Sequence, residues 1–171
     1  TYFVLNPYWT VPPTILFNDV LPEVKKDVNY LKTKQMKVLQ GGQEVAAESI
    51  EWAKLSKNYF PYTIRQEPGP ANALGAVKFM FPNKYNIYIH DTPSKELFNR
   101  PDRAFSSGCI RLNQPLSFVN YLIAEMPDWN TEKIKAVLET GRDKTVMLRK
   151  PLSVHILYLT AWVDEDGVQF R

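Results

Sequence analysis

The chain has 171 residues, a net charge of +3, 44% hydrophobic and 23% charged side chains, a composition that fits one globular domain with a real core and excludes a disordered or fibrous segment. The small positive balance, with lysines scattered or gathered at Lys25, Lys26, Lys32, Lys34 and Lys37 and no basic arm or RNA-binding aromatic motif, argues against nucleic acid as a partner. No run reaches the eighteen or so apolar residues of a membrane span, and the single cysteine excludes an internal disulfide.

Twenty-two aromatic residues (9 Tyr, 9 Phe, 4 Trp) and 13 prolines against 7 glycines favour strands and rigid connections over a helical bundle. Thr1 to Leu5 reads as a strand with no cleavable signal pattern before it, which is expected of an excised domain whose native address lies in other sequence. Asn6 to Pro13 reads as an extended connector, because each residue before a proline is pushed toward extended geometry. From Ile15 to about Tyr30, Ile15, Leu16, Val20, Leu21, Val24 and Val28 recur at helical spacing, with an interruption expected at Pro22.

Residues from about 31 to 58 combine lysines, the Gly41-Gly42 pair and an apolar group at Ile50, Trp52, Ala53 and Leu55, a composition that predicts a mobile subdomain. Tyr59 to Gln66, Leu74 to Phe81 and Asn86 to His90 are strand candidates, with Pro68-Gly69-Pro70 as a turn. Asn113 is the expected N-cap of a helix from Pro115 to about Met126. Thr131 is the expected cap of a second, Glu132 to Glu139, stopped at Gly141, with strands returning at 146–148 and 154–163.

The chemistry concentrates in Ile87-Tyr88-Ile89-His90-Asp91-Thr92 and Ser106-Ser107-Gly108-Cys109-Ile110-Arg111-Leu112-Asn113. Strand alternation puts Tyr88 and His90 on one face and Ile87 and Ile89 on the other, leaving His90 at a strand end, open to substrate. The same alternation puts Cys109 and Arg111 together on an accessible side, with Ile110 and Leu112 buried. A cysteine attacks a carbonyl as its thiolate, and a neighbouring imidazole favours that form; His90 is the well-placed candidate. Gly108 allows a tight turn that brings the Gly108 and Cys109 amides toward a developing oxyanion. A lone cysteine is more often a small buried hydrophobe, and it is the Ser-Ser-Gly before it and the strand-end histidine upstream that reverse the balance. His155, within Ser153-Val154-His155-Ile156-Leu157, reads as a packed or edge-strand residue without a role. Two histidines and one cysteine, with no His-Glu-x-x-His, are too few to hold zinc, so neither metal nor cofactor is expected.

His90 followed by Ser107-Gly108-Cys109-Ile110-Arg111 resembles the signature of the YkuD-type L,D-transpeptidase domain, with Ser107 where many members have a second histidine. The resemblance extends to Pro7-Tyr8-Trp9-Thr10-Val11-Pro12 and to Pro68-Gly69-Pro70 with Asn72, Leu74 and Gly75. It implies a mainly β fold with helices (α+β), a mixed-sheet sandwich or barrel-like catalytic domain over 1–171. It is most similar to the large Gram-negative YcbB-type enzymes, in which a helical capping insertion covers the active site; here that insertion would be residues 19–66, with Gly41-Gly42 as a hinge and Trp52 as an apolar anchor.

The resemblance also implies an activity. Cys109 would attack the third-residue carbonyl of a stem tetrapeptide and release D-alanine, and the thioester would pass to an amine of a second stem, giving a third-to-third cross-link. Water as acceptor would give L,D-carboxypeptidase activity. Carbapenems would acylate Cys109. Tyr88, Arg111, Ser106, Ser107, Asp91, Thr92, Asn113 and Trp9 would contact substrate, a carbonyl near Asp91 or Thr92 holding the His90 tautomer. The implied location is the periplasm or cell envelope of a Gram-negative bacterium, with any inner-membrane anchor in further sequence. The competing readings are a sortase-like cysteine acyltransferase, whose Thr-Leu-x-Thr pattern this sequence lacks, and a non-catalytic wall-binding module.

Overall fold

The computed structural model describes residues 1–106 and 108–170. Its central element is a five-stranded mixed sheet in the order β8-β7-β6-β1-β9. The N-terminal strand β1 (Tyr2–Leu5) is an interior strand, antiparallel to both β6 (Val77–Met80) and β9 (Lys144–Met147). Beyond β6 come two very short strands, β7 (Ile89–His90), antiparallel to β6, and β8 (Ile110–Arg111), parallel to β7. Alternate residues Phe3, Leu5, Val77, Phe79 and Val146 point into one core, where helices α4 (Pro115–Ile123) and α5 (Thr131–Glu139) bring Val119, Ile123 and Ile134. Asn6 links this core to the next segment: its side-chain amide donates to the carbonyls of Val137 (3.0 Å), Leu138 (3.2 Å) and Arg142 (3.1 Å) at the end of α5.

A second buried cluster runs from Val11 through Val20, Val24, Leu31, Val38, Trp52 and Leu55 to Ile64. Its sheet has the order β2-β5-β3-β4, made of β2 (Trp9–Thr10), β3 (Met36–Gln40), β4 (Gln43–Val45) and β5 (Thr63–Gln66). Over it lie α1 (Pro13–Ile15), a π-helical turn Leu16–Val20, α2 (Leu21–Lys26) and α3 (Asn29–Thr33). The segment expected as a helical insertion therefore contributes three strands as well. Gly41 and Gly42, expected as a hinge, form the two-residue turn joining β3 to β4. Trp52 is buried in this core, its indole N–H donating to Ala47 O at 2.8 Å.

Several boundaries differ from the sequence expectations for identifiable reasons. Pro22 does not break the helix: it falls in the first turn of α2, where a missing N–H costs least, and the winding ahead of it is π-helical. The cap of α5 is Asn130, whose side chain accepts from Lys133 N at 2.8 Å, with Thr131 already inside the helix. Gln114, not Asn113, precedes α4, and it makes no side-chain cap. The C-terminal strand is shorter than expected: β10 (Ala161–Asp164) pairs only with β11 (Gly167–Phe170). Residues 86–88 are irregular, Asn86 taking φ 55°, so the expected strand from Asn86 narrows to Ile89–His90.

Candidate active site

The parallel β7–β8 pair puts His90 beside Arg111, with Cys109 one residue ahead of β8. Two main-chain bonds fix this register: Ile110 N–H donates to Tyr88 O at 3.0 Å and Leu112 N–H to His90 O at 2.8 Å. Gly108 makes the approach to β8 possible, because its φ of 127° lies where L side chains are strained. Ser106 secures the same turn: its hydroxyl donates to Cys109 O at 2.6 Å and accepts from Gly108 N at 3.2 Å.

His90 is buried, with 5% of its surface exposed, and is not the open strand-end residue that alternation alone predicts. Its Nδ1 lies 2.5 Å from the carbonyl of Asp91. A carbonyl only accepts, so Nδ1 carries the proton and Nε2 keeps the lone pair. Burial lowers the His90 pKa below the ordinary histidine value; the Asp91 carbonyl opposes the shift and the Arg111 cation reinforces it. The ring is therefore held neutral. Tyr88 meets His90 edge-on, with ring centroids 5.7 Å apart, and its phenol faces both Cys109 and Trp9. Burial, then the charge of Cys109 and the hydrogen bond to it, push the Tyr88 pKa well up, so the phenol stays protonated.

A cavity of about 590 Å³ opens onto these groups. Of the residues singled out in the sequence, Trp9, Tyr88, His90, Ser106, Cys109 and Arg111 line it. Gly108 lies in the turn beside it. Ser107 lies outside the described residues. Asp91 and Thr92, expected at the substrate, are buried and do not line either cavity, and neither does Asn113, exposed just past the end of β8. These three hold the site from outside: the Asp91 carboxylate accepts from Ala76 N (2.8 Å) and Thr92 N (2.7 Å), and the Asn113 carbonyl accepts from Lys95 Nζ at 3.0 Å.

Sequence reasoning missed the wall supplied by the second core. Thr14, Ile15 and Asp19, from α1 and the π-helical turn, line the cavity with Leu74, Ile87 and Phe105. The signal for them, a helix starting two residues after Trp9-Thr10, was legible only as helix. A smaller cavity of about 320 Å³ reaches Cys109 and Arg111 from the other side, walled by Leu97, Phe98, Arg103 and Phe105. Arg111 lies between the two cavities, with Nε and Nη1 buried and without a hydrogen-bond partner among the described residues. Buried guanidinium N–H groups carry a desolvation cost unless an acceptor arrives.

A histidine with an unprotonated Nε2, a thiol and a cation with two buried, unpartnered nitrogens, its Nη2 donating to Phe105 O at 3.5 Å, form around one cleft a constellation suited to acyl transfer. Comparison with known proteins agrees with that chemistry. The family model for the YkuD L,D-transpeptidase catalytic domain matches residues 1–145. A protein of Haemophilus influenzae named "Putative L,D-transpeptidase" is 36% identical over 166 residues, which is 96% of this chain and 33% of that protein. The chain thus spans about a third of the length of that relative. Motif, mixed sheet and matched span together place the chain in the YkuD family of L,D-transpeptidase catalytic domains.

Proposed function

We propose that this domain cross-links peptidoglycan stem peptides by a cysteine acyl-transfer mechanism, with Cys109 as nucleophile and His90 as base. The observation that carries the reading is the Nδ1 contact of buried His90 with the Asp91 carbonyl, which leaves Nε2 as the ring's proton acceptor at a cavity that Cys109 also lines. His90 takes the thiol proton as Cys109 Sγ bonds to the third-residue carbonyl carbon of a tetrapeptide. It returns that proton to the departing amine of D-alanine, leaving a thioester. A side-chain amine of a second stem then attacks the thioester, gives up its proton through His90, and regenerates the thiol. Water in place of the amine releases a tripeptide.

The Gly108 N–H is engaged by Ser106 Oγ, so among the described residues the Cys109 N–H is the better oxyanion donor of the two. Arg111, with its unmatched buried N–H groups, takes the substrate carboxylate, and Tyr88, Trp9 and Ser106 contact the stem. Residues 19–66 act as a cap of the YcbB type; supporting this, Asp19 at the start of that segment lines the larger cavity, beside Thr14 and Ile15 from the helix that leads into it. Peptidoglycan as substrate implies a cell-envelope location, which by the YcbB-type resemblance would be the periplasm of a Gram-negative bacterium, and a carbapenem would acylate Cys109 by ring opening.

The test is incubation with purified disaccharide-tetrapeptide and product analysis by mass spectrometry. D-alanine release with dimers or tripeptides is expected, together with a stable mass adduct on carbapenem treatment. An unchanged substrate and an unmodified protein would favour a wall-binding module instead. Because burial and the nearby Arg111 keep His90 neutral, the acid limb of the rate–pH profile should fall below the ordinary histidine value of about 6.5. An acid limb at or above that value would mean that His90 is more solvated than its burial implies.

A further inference from the structure

We infer that Lys95 is a positioning residue, whose ammonium ties the segment following β7 to the segment following β8 and so holds His90 and Cys109 in reacting register. This rests on the acyl-transfer reading of the same site.

The need for such a tie follows from the strands. β7 and β8 have two residues each, against about five or six for a typical strand, and parallel pairing is the less stable kind per residue. The two ladder bonds from Ile110 N and Leu112 N are the main-chain links described between them. A pair this short, at the edge of the sheet, has little of its own to resist fraying.

Lys95 sits at the start of the 3-10 turn Lys95–Asn99, just past the ends of both strands. Its Nζ reaches Asp91 Oδ1 at 2.5 Å, Asn113 O at 3.0 Å and Leu112 O at 3.4 Å. An ammonium has three donors, and here each meets an acceptor: one after β7, two after β8. The Asp91 carboxylate is otherwise pinned by the Ala76 and Thr92 amides, and the main-chain oxygen of the same residue holds His90 Nδ1. A shift of Asp91 therefore turns the imidazole, while a shift at Leu112 moves the strand that begins beside Cys109.

An ordinary surface ion pair does not account for this pattern. Lys26–Glu23 and Lys54–Glu51 are local pairs with both partners largely exposed, the kind that contributes little. The Asp91 side chain is only 11% exposed, and the carbonyl partners lie 17 and 18 residues away in sequence.

The test compares Lys95→Met and Lys95→Arg with the wild type, with Lys150→Met as a control that removes an exposed ion pair elsewhere. D-alanine release gives kcat and KM, iodoacetamide alkylation gives the reactivity of Cys109, and thermal melting reports folding. A misplacement of about 1 Å costs up to about a hundredfold. Lys95→Met is accordingly expected to lose about tenfold or more in kcat and in alkylation rate, with KM within about twofold. Lys95→Arg, which keeps the charge and several donors, should recover most of the loss, and Lys150→Met should behave as wild type. Unchanged kcat in Lys95→Met, a loss that follows the unfolded fraction, or an arginine no better than methionine would overturn the assignment. His90→Ala separates the two readings. If it leaves alkylation unchanged, the catalytic pair itself falls and Lys95 with it. If it slows alkylation while Lys95→Met does not, only the Lys95 assignment falls.

Discussion

Cys109→Ala should bring D-alanine release and dimer formation below detection, while His90→Ala should retain a trace, about 10²- to 10⁴-fold below wild type, the range general-base catalysis supplies. Among the described residues, the hydroxyls lining the larger cavity belong to Thr10, Thr14, Tyr85, Tyr88 and Ser106. None replaces the thiol: Ser106 Oγ is held between Gly108 N and Cys109 O, and Tyr88 stays protonated because it is buried and faces Cys109. His90→Ala keeps the thiol but loses the acceptor of its proton. The double variant should be no slower than Cys109→Ala alone, since residues that act as one unit are not additive. Steady-state assays on the disaccharide-tetrapeptide decide this, and turnover surviving in Cys109→Ala would require another nucleophile.

The largest effect on stability is expected at Gly75. Its φ is 58°, and a Cβ there would overlap the carboxylate of Asp91. The left-handed conformation alone costs an alanine about 1–2 kcal/mol, and forcing an atom into a filled site adds about 1–3 kcal/mol. Gly141 provides the comparison, having nearly the same φ, 63°, with open space where its Cβ would go. Urea unfolding should therefore show Gly75→Ala destabilised by about 2–5 kcal/mol and Gly141→Ala by only about 1–2 kcal/mol. Activity should drop with the first and not the second, because Asp91 carries the carbonyl that orients His90. Equal losses in both would mean that Asp91 moves aside freely.

The parts of the site carried by short-range patterns were readable from residues alone. The turn that Gly108 supplies is a local property, whereas strand alternation held only in part: Tyr88, His90, Cys109 and Arg111 share one cavity, but Ile87, in irregular backbone, lines it too, and Ile110 and Leu112 are half-buried rather than buried. Burial of His90 was not readable, because it depends on how the segments around both cores close over the ring. Lys95 was invisible for a different reason: two of its three acceptors are main-chain carbonyls, and any residue has one. Asp91 and Thr92 do not line the cavity, because adjacency in sequence to a reactive histidine says nothing about which side of the strand faces it. In the fold, Gly41-Gly42 could mean a flexible joint or a hairpin turn, and the flanking Met36–Gln40 and Gln43–Val45 lack the clean alternation that would have told the two apart. The helices Pro115–Ile123 and Thr131–Glu139 followed from periodicity and stop signals, although which side chain caps each did not, and the α+β class came from the family resemblance.

The two hydrophobic clusters, one around Val38 and Ile64 and the other around Phe3 and Val77, share no buried side chain. Heat or denaturant can therefore dissolve one before the other, and a single midpoint is not guaranteed to describe the whole chain. The cavity takes lining residues from both sides of that division. A molecule bound across it would make the two clusters melt more nearly as one, so cooperativity itself becomes a property that occupancy changes.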